Sequence, residues 1–448
     1  MELKEAKSIE LNELANLQED YAKCKRNTIV RHALSNGPVS NIAFNKDNLD
    51  KDAFLFNVDI PTMTATNQQA SGRCWIFAAC NVLREKLSKE KKIKDFELSQ
   101  NFIAFYDRLE KINYCLESII DLLDRENDDR TLNHVLDNTV GDGGQWDMFV
   151  SIVKKYGLCP KGAMPESFQS NNTRMTGSLI NAELRKFAYD AKRIYKQEGI
   201  EKVRELKEDL FKRFYNLLVS SHGLPQTKFD FEYRDENNEF HVEKDLTPKS
   251  FFDKYFSEYI DEFVSVTNAP TKDKPFNKTF TISYLGNVIG GKQVQHLNVS
   301  MDRLSSLIVQ QLKDGQVTWF GSDCGKFADR ESGLWDDQLW DYPSAFDLDY
   351  GFNKECGLDY RASVMNHAMV LTGVHLNEKG LPLKWKVENS WGTDRAFKGY
   401  YIMSNSWFNR FVFQAVINKK YLNEKELKAF EEKPIVLKPW DPMGSLAD

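Results

Sequence analysis

Apolar residues along the chain follow two periods, and the change from one to the other divides it. Leu11, Leu14, Leu17 and Tyr21 recur at helical spacing, so residues 1–60 are expected to hold an amphipathic helix and then an extended arm, packed on the core. From Cys74 the run "CWIFAACNVLREKL" is apolar almost all round, which predicts a buried helix behind the polar loop "NQQASGR". Helical spacing returns in Leu184, Phe187, Ala188, Ala191, Ile194 and Tyr195, and after Gly199 in Val203, Leu206, Leu210, Phe214 and Leu217. Beyond Gly315 the pattern shortens. "GQVTWFGSD", the unbroken apolar run Ala368 to Val374, the alternating positions Leu383, Trp385, Val387 and Asn389, and "FVFQAVINK" all read as strands. The fold class is α+β.

Composition changes this picture mainly by exclusion. A chain of 448 residues exceeds one compact core, and about two to four domains are expected. Sixty basic against 66 acidic residues, a net charge of −6, give no support for nucleic acid or anionic membrane as a partner. The helices after residue 174 interleave acidic with basic residues, which reads as a solvated face rather than a nucleic-acid groove. "MELKEAKSIELNEL" has no apolar core of a secretory signal, and no run approaches the ~18 residues of a membrane span, so a cytoplasmic location is expected. Seven scattered cysteines without a C-x-x-C argue against a disulfide framework and a structural zinc site, and no metal or cofactor is expected. "GDGG", Gly141 to Gly144, lacks the glycine spacing of a dinucleotide fingerprint.

Candidate chemistry starts at Cys74, where the polar loop turns into the apolar helix. A helix N-terminus offers unpaired N–H groups and a favourable dipole, so a thiolate is stabilised there, although a free cysteine is more often a small buried apolar residue. A thiol nucleophile needs a base, a group to orient it and donors for an oxyanion. His367 begins the strand Ala368–Val374, with His375 just past its other end; a histidine at a strand end is commonly structural. Asn389 interrupts an apolar strand face, and its buried amide must find partners. These are either backbone groups or the imidazole of His367, with Trp391 shielding the pair from water. The aromatic-rich "SGLWDDQLWDYPSAF" lines a cleft wall or belongs to the core through Trp335 and Trp340.

Together, "NQQASGRCW", "NHAMVLTG" and "ENSWG" resemble the active-site blocks of papain-like cysteine peptidases, in the same order of Cys, His and Asn. The resemblance implies Cys74 as nucleophile, His367 as base, Asn389 as orienting amide, Gln68 as oxyanion donor and Trp391 as the covering indole. "GDGGQWDMFVSIVKKYGLCPKGAMP" similarly implies substrate binding by the backbone of Gly143 or Gly144. Where secreted members carry a disulfide, this chain has Ser71 and Gly141, which suits a reducing cytosol. Cys74 and His367 lie 293 residues apart, about 150 more than in the papain subgroup. That length and the tail "KPWDPMGSLAD" narrow the resemblance to the bleomycin hydrolase and bacterial aminopeptidase C family.

What this implies is a two-lobed papain-like fold, a helical lobe plus a β-barrel-like lobe, with a large mainly helical insertion. The expected layout is 1–60 helix and arm, 61–160 helical lobe, 161–314 insertion used for oligomerisation, 315–420 β-rich lobe, and 421–448 a C-terminal helix and tail. The implied protein is a homohexameric cytoplasmic thiol aminopeptidase acting on peptides and bleomycin-like amides through a thioester, with thiolate and imidazolium as an ion pair. Pro439 and Pro442 deny the tail a regular ladder, so it is expected to lie extended in the cleft, with the carboxylate of Asp448 holding the substrate ammonium. An ordinary disordered terminus is the alternative. Two further readings stay open: an acyltransferase using the same thioester, and a non-catalytic peptide-binding cage.

Overall fold

The computed structural model describes residues 5–47 and 54–447. Its centre is the helix α2, Cys74–Lys91, following an N-terminal helix α1, Leu11–Lys23. The apolar run from Trp75 to Leu83 is buried on every side, as a helix lacking a polar face must be. Helices α3, Gln100–Asp121, and α4, Trp146–Tyr156, pack against it. The two long helices α5, Arg174–Glu198, and α6, Ile200–His222, then form an antiparallel-chain hairpin broken at Gly199, whose φ of 84° suits glycine. Their expected apolar positions turn inward: Leu184, Phe187, Ala188, Ala191, Val203, Leu210 and Phe214 are buried.

Eleven strands among the described residues form one sheet. Its middle is an antiparallel run of six, β1 (Phe263–Thr267), β6 (Val412–Asn418), β2 (Thr318–Ser322), β3 (His367–Leu376), β4 (Pro382–Glu388) and β5 (Tyr400–Ser404), in that spatial order. Strand β3 lies against α2, so it is covered and reads as an almost continuous apolar run. Register pairs Ser322 with His367 and Gly321 with Ala368.

Several expectations need correction. No residue of α1 is buried; Leu11 is 83 % and Leu17 62 % exposed. An apolar stripe shows that a helix can use a partner, not which partner, and only the later arm docks, with Val58 and Asp59 pairing Val374 and Gly373. The segment 161–314 is less helical than expected. It contributes a hairpin (Phe229–Arg234 with Phe240–Leu246), the wholly buried "FVSVT" of β1, and the flanking strands Thr279–Ile282 and His296–Asn298. His375 lies inside β3, not beyond it. Leu383 is half exposed, because a register shift between Pro382 and Lys384 turns it away from the face of Trp385 and Val387.

Burial holds two histidines away from the reaction chemistry neutral. Desolvation pushes His296 down to about 4, while its Nδ1 meets Ser265 Oγ at 2.7 Å; desolvation, with Arg108 and Arg73 adding to it, pushes His222 down to about 3. A lowered folded pKa means stability is present above the unfolded value near 6.5 and lost as pH falls toward the folded one. Urea midpoints should therefore drop between pH 7 and pH 5, by about 2 kcal/mol for each histidine at pH 5. Replacing His296 by Gln should flatten its share of that slope.

Candidate active site

The N-terminus of α2 carries Cys74 directly onto the start of β3, where the sulfur accepts the Ala368 N–H at 3.4 Å. The helix has no side-chain cap, so its first N–H groups are free to face the sulfur. One residue back, His367 Nε2 lies 2.9 Å from Asn389 Oδ1, which also accepts the Ser390 N–H at 2.8 Å. An oxygen between two donors fixes the tautomer: Nε2 carries the proton and Nδ1 is left as the acceptor. Trp391 stacks on the imidazole at 5.0 Å and 25°. Gln68 is tied to the same turn, its N–H donating to Ser390 O at 2.9 Å and its Oε1 accepting from Ser390 Oγ at 2.7 Å. Its Nε2 donates one hydrogen to Ser71 O, leaving the second unused.

Two opposing effects act on the sulfur, and burial wins. Desolvation pushes the Cys74 thiol up to about 11 despite the pull of the N–H groups of Ala368, Trp75 and Cys74 itself. Desolvation likewise pushes the His367 imidazole down to about 4, against the raising bond to Asn389 and with Arg330 adding to the lowering. Each charge taken singly is disfavoured, so the resting crevice holds a neutral thiol and a neutral imidazole rather than the expected standing ion pair. Moving the proton from sulfur to nitrogen creates both charges together and leaves the crevice neutral.

The glycine pair is already occupied. Gly144 N–H donates to Leu446 O at 3.0 Å, and Ser445 Oγ donates to Met365 O at 2.6 Å across the cleft. A Cβ on Gly143 would overlap the Leu446 carbonyl, and one on Gly144 would overlap the Trp75 indole. Leu446 is buried, its Cδ2 3.6 Å from where a side chain on Gly321 would begin. The tail is not extended: residues Pro442–Ala447 wind as a 3₁₀ helix, since a proline at its first position costs no hydrogen bond there. Asp448 lies outside the described residues. Trp335 is core and Trp340 packs on Phe44, so neither lines this cleft.

Comparison with known proteins follows this geometry. The model of the Peptidase C1-like family matches residues 8–444. The chain belongs to that family. It is 42 % identical over 447 residues to Aminopeptidase C of Lactobacillus helveticus, covering 99 % of each chain. It is 45 % identical over 396 residues to Aminopeptidase C of Lactobacillus delbrueckii subsp. lactis, covering 88 % of each. The crystal structure of PepW from Lactobacillus rhamnosis HN001 is 40 % identical with a TM-score of 0.95, over 98 % of this chain and 99 % of that one.

Sequence reasoning missed the carboxylate that organises this Peptidase C1-like site. Asp142, the acid inside "GDGG", accepts from Gly72 N–H at 3.0 Å, from Thr173 Oγ1 and from the Arg108 guanidinium, while its backbone carbonyl takes the Trp75 indole N–H at 2.7 Å. Lys111, also buried, donates to the carbonyls of Gly141 and Gly143 and pairs with Asp107 at 2.8 Å. The glycines flanking Asp142 were the available signal, because a carboxylate between them must meet backbone. On the far side, Arg84 Nη2 reaches Glu388 Oε1 at 2.7 Å, and Asn81 Nδ2 reaches the same oxygen at 2.8 Å.

Two outcomes are expected. Gly143→Ala should displace the tail and speed carboxypeptidase trimming of the C-terminus about tenfold, read by intact mass, since overpacking costs about 1–3 kcal/mol. An unchanged trimming rate contradicts the tail position described. Arg84→Met should lower stability by about 3–5 kcal/mol in urea, because it strands the buried Glu388 carboxylate.

Proposed function

We propose that this papain-like cysteine aminopeptidase removes single N-terminal residues from peptides through a thioester on Cys74. The observation that carries this reading is the hydrogen bond of Leu446 O to Gly144 N–H: the chain's own tail takes the backbone donor that a longer substrate would need. Only a short amino-terminal segment fits between the tail and the sulfur. His367 Nδ1 takes the Cys74 proton, and the thiolate attacks the carbonyl. Gln68 Nε2 and the Cys74 N–H hold the oxyanion, and Asn389 keeps the imidazole in register. His367 then protonates the leaving amine, and water releases the acyl group. The terminal carboxylate of Asp448 pairs with the substrate ammonium, Gly143 and Gly144 hold the tail that sets the subsite, and Trp391 covers His367.

The surroundings of this chemistry are part of the proposal. Seven unpaired cysteines support a reducing, cytoplasmic setting. The exposed apolar residues of α1, with Met175, Leu179 and Tyr189 on α5, support assembly into a homo-oligomer, taken here as a hexamer. Hydrolysis of bleomycin-like amides follows from the same thioester chemistry.

The test uses the full chain and a form lacking residues 445–448. The full chain should release the first residue of a peptide, lose that activity on stoichiometric alkylation of Cys74, and slow about a hundredfold or more in Gln68→Ala. The truncated form should lose much of its aminopeptidase rate and gain cleavage of amino-blocked peptides. Equal aminopeptidase activity in both forms, without new internal cleavage, would rule the tail out as the subsite stop.

A further inference from the structure

With the tail filling one side of the cleft, the part of a peptide beyond the scissile bond must leave on the other side, across Trp391. That indole is half-buried, stacked on His367 at 5.0 Å, and joined to the Gln68 loop by a bridge to Asn67. Over it lies an exposed arginine, Arg330, with Cζ 4.4 Å from the ring centre. Its charge is felt at both His367 and Cys324, so the guanidinium sits at the mouth of the site rather than turned away.

The neighbouring acids are otherwise engaged. Glu331 faces Arg395 at 3.7 Å, and Asp329 accepts the Ser332 N–H at 2.9 Å. Among the described residues Arg330 makes no ion pair. A guanidinium lying on an indole uses its flat face and keeps its edge of N–H donors free, the geometry that fits a carboxylate.

Resting on the aminopeptidase reading above, we propose that Arg330 is a specificity-determining residue that binds a carboxylate on the leaving side of the scissile bond. Two sources present that group close to the leaving nitrogen. One is the free C-terminal carboxylate of a dipeptide, one carbon beyond the nitrogen-bearing carbon; the other is an Asp or Glu side chain in the first leaving position. Each further residue carries a terminal carboxylate about 3.3–3.6 Å farther along, so preference for a free terminus falls with peptide length.

Release of leucine from Leu-Gly, Leu-Gly-amide, Leu-Asp-amide and Leu-Asn-amide is compared for the wild-type full chain, Arg330→Gln and Arg330→Lys. The wild type should favour Leu-Gly over its amide by about fivefold in kcat/KM, the size expected of an exposed ion pair. That ratio should fall toward one in Arg330→Gln, recover in part in Arg330→Lys, and shrink in high salt. The Leu-Asp-amide to Leu-Asn-amide ratio reads the side-chain source in the same way, and a change in either ratio supports the site. If both ratios are the same in wild type and Arg330→Gln, the inference is overturned, even where absolute rates fall. If the wild type frees no leucine from any of the four, the aminopeptidase reading itself fails.

Discussion

One buried guanidinium holds the three segments of the site in mutual register. Arg84 is 1 % exposed, two and a half turns along α2 from Cys74. Its Nη2 meets Glu388, the residue before Asn389, and donates to Thr64 O at 2.9 Å in the strand leading to Gln68. Helix, loop and strand therefore meet at a single donor. Burial holds Glu388 up to about 7 in spite of Arg84, which shows how costly this arrangement is. Apolar replacement of such a pair often costs no stability, so its value lies in specifying position: an apolar contact tolerates sliding, a charge-assisted hydrogen bond does not.

The opposite face of α2 is fixed by Asp142 with equal economy. Its carboxylate gathers the loop before Cys74, α3 through Arg108, and the start of α5 through Thr173, while its carbonyl holds Trp75. Gly72 has to be glycine for this approach, since a Cβ there would lie 2.8 Å from that of Asp142. The helix bearing the proposed nucleophile is thus held from both lobes by polar contacts, within an apolar core that alone would leave its axial position loosely defined.

How much of this could be read from the chain depends on range. The helix after Cys74, the break at Gly199 and the strand after His367 follow from local period and are present at those positions. The convergence of Cys74, His367, Asn389 and Gln68 was legible because each sits in a short block with its own spacing. Elements whose partner is distant were not. The stripe of α1 could not reveal that it lies exposed, and "FVSVT" gave no sign within a helical segment that it joins β6. Asp142 and Arg84 were invisible for the same reason: a single charged residue carries no period, and its partners lie tens to hundreds of residues away.

The tail and the dry crevice are two sides of one arrangement. Leu446 and Ser445 seal the side of the sulfur that Trp391 does not, and the exclusion of water is what raises the thiol and lowers the imidazole. A neutral resting pair is poorly reactive toward casual electrophiles. Proton transfer to His367 becomes favourable when something polar enters to stabilise the new charges, and a substrate carbonyl between Gln68 Nε2 and the Cys74 N–H is such a group. Its ammonium, held toward the tail, adds positive charge near the sulfur and favours the thiolate further. On this reasoning the segment that limits the length of the bound residue also withholds the nucleophile until that residue arrives.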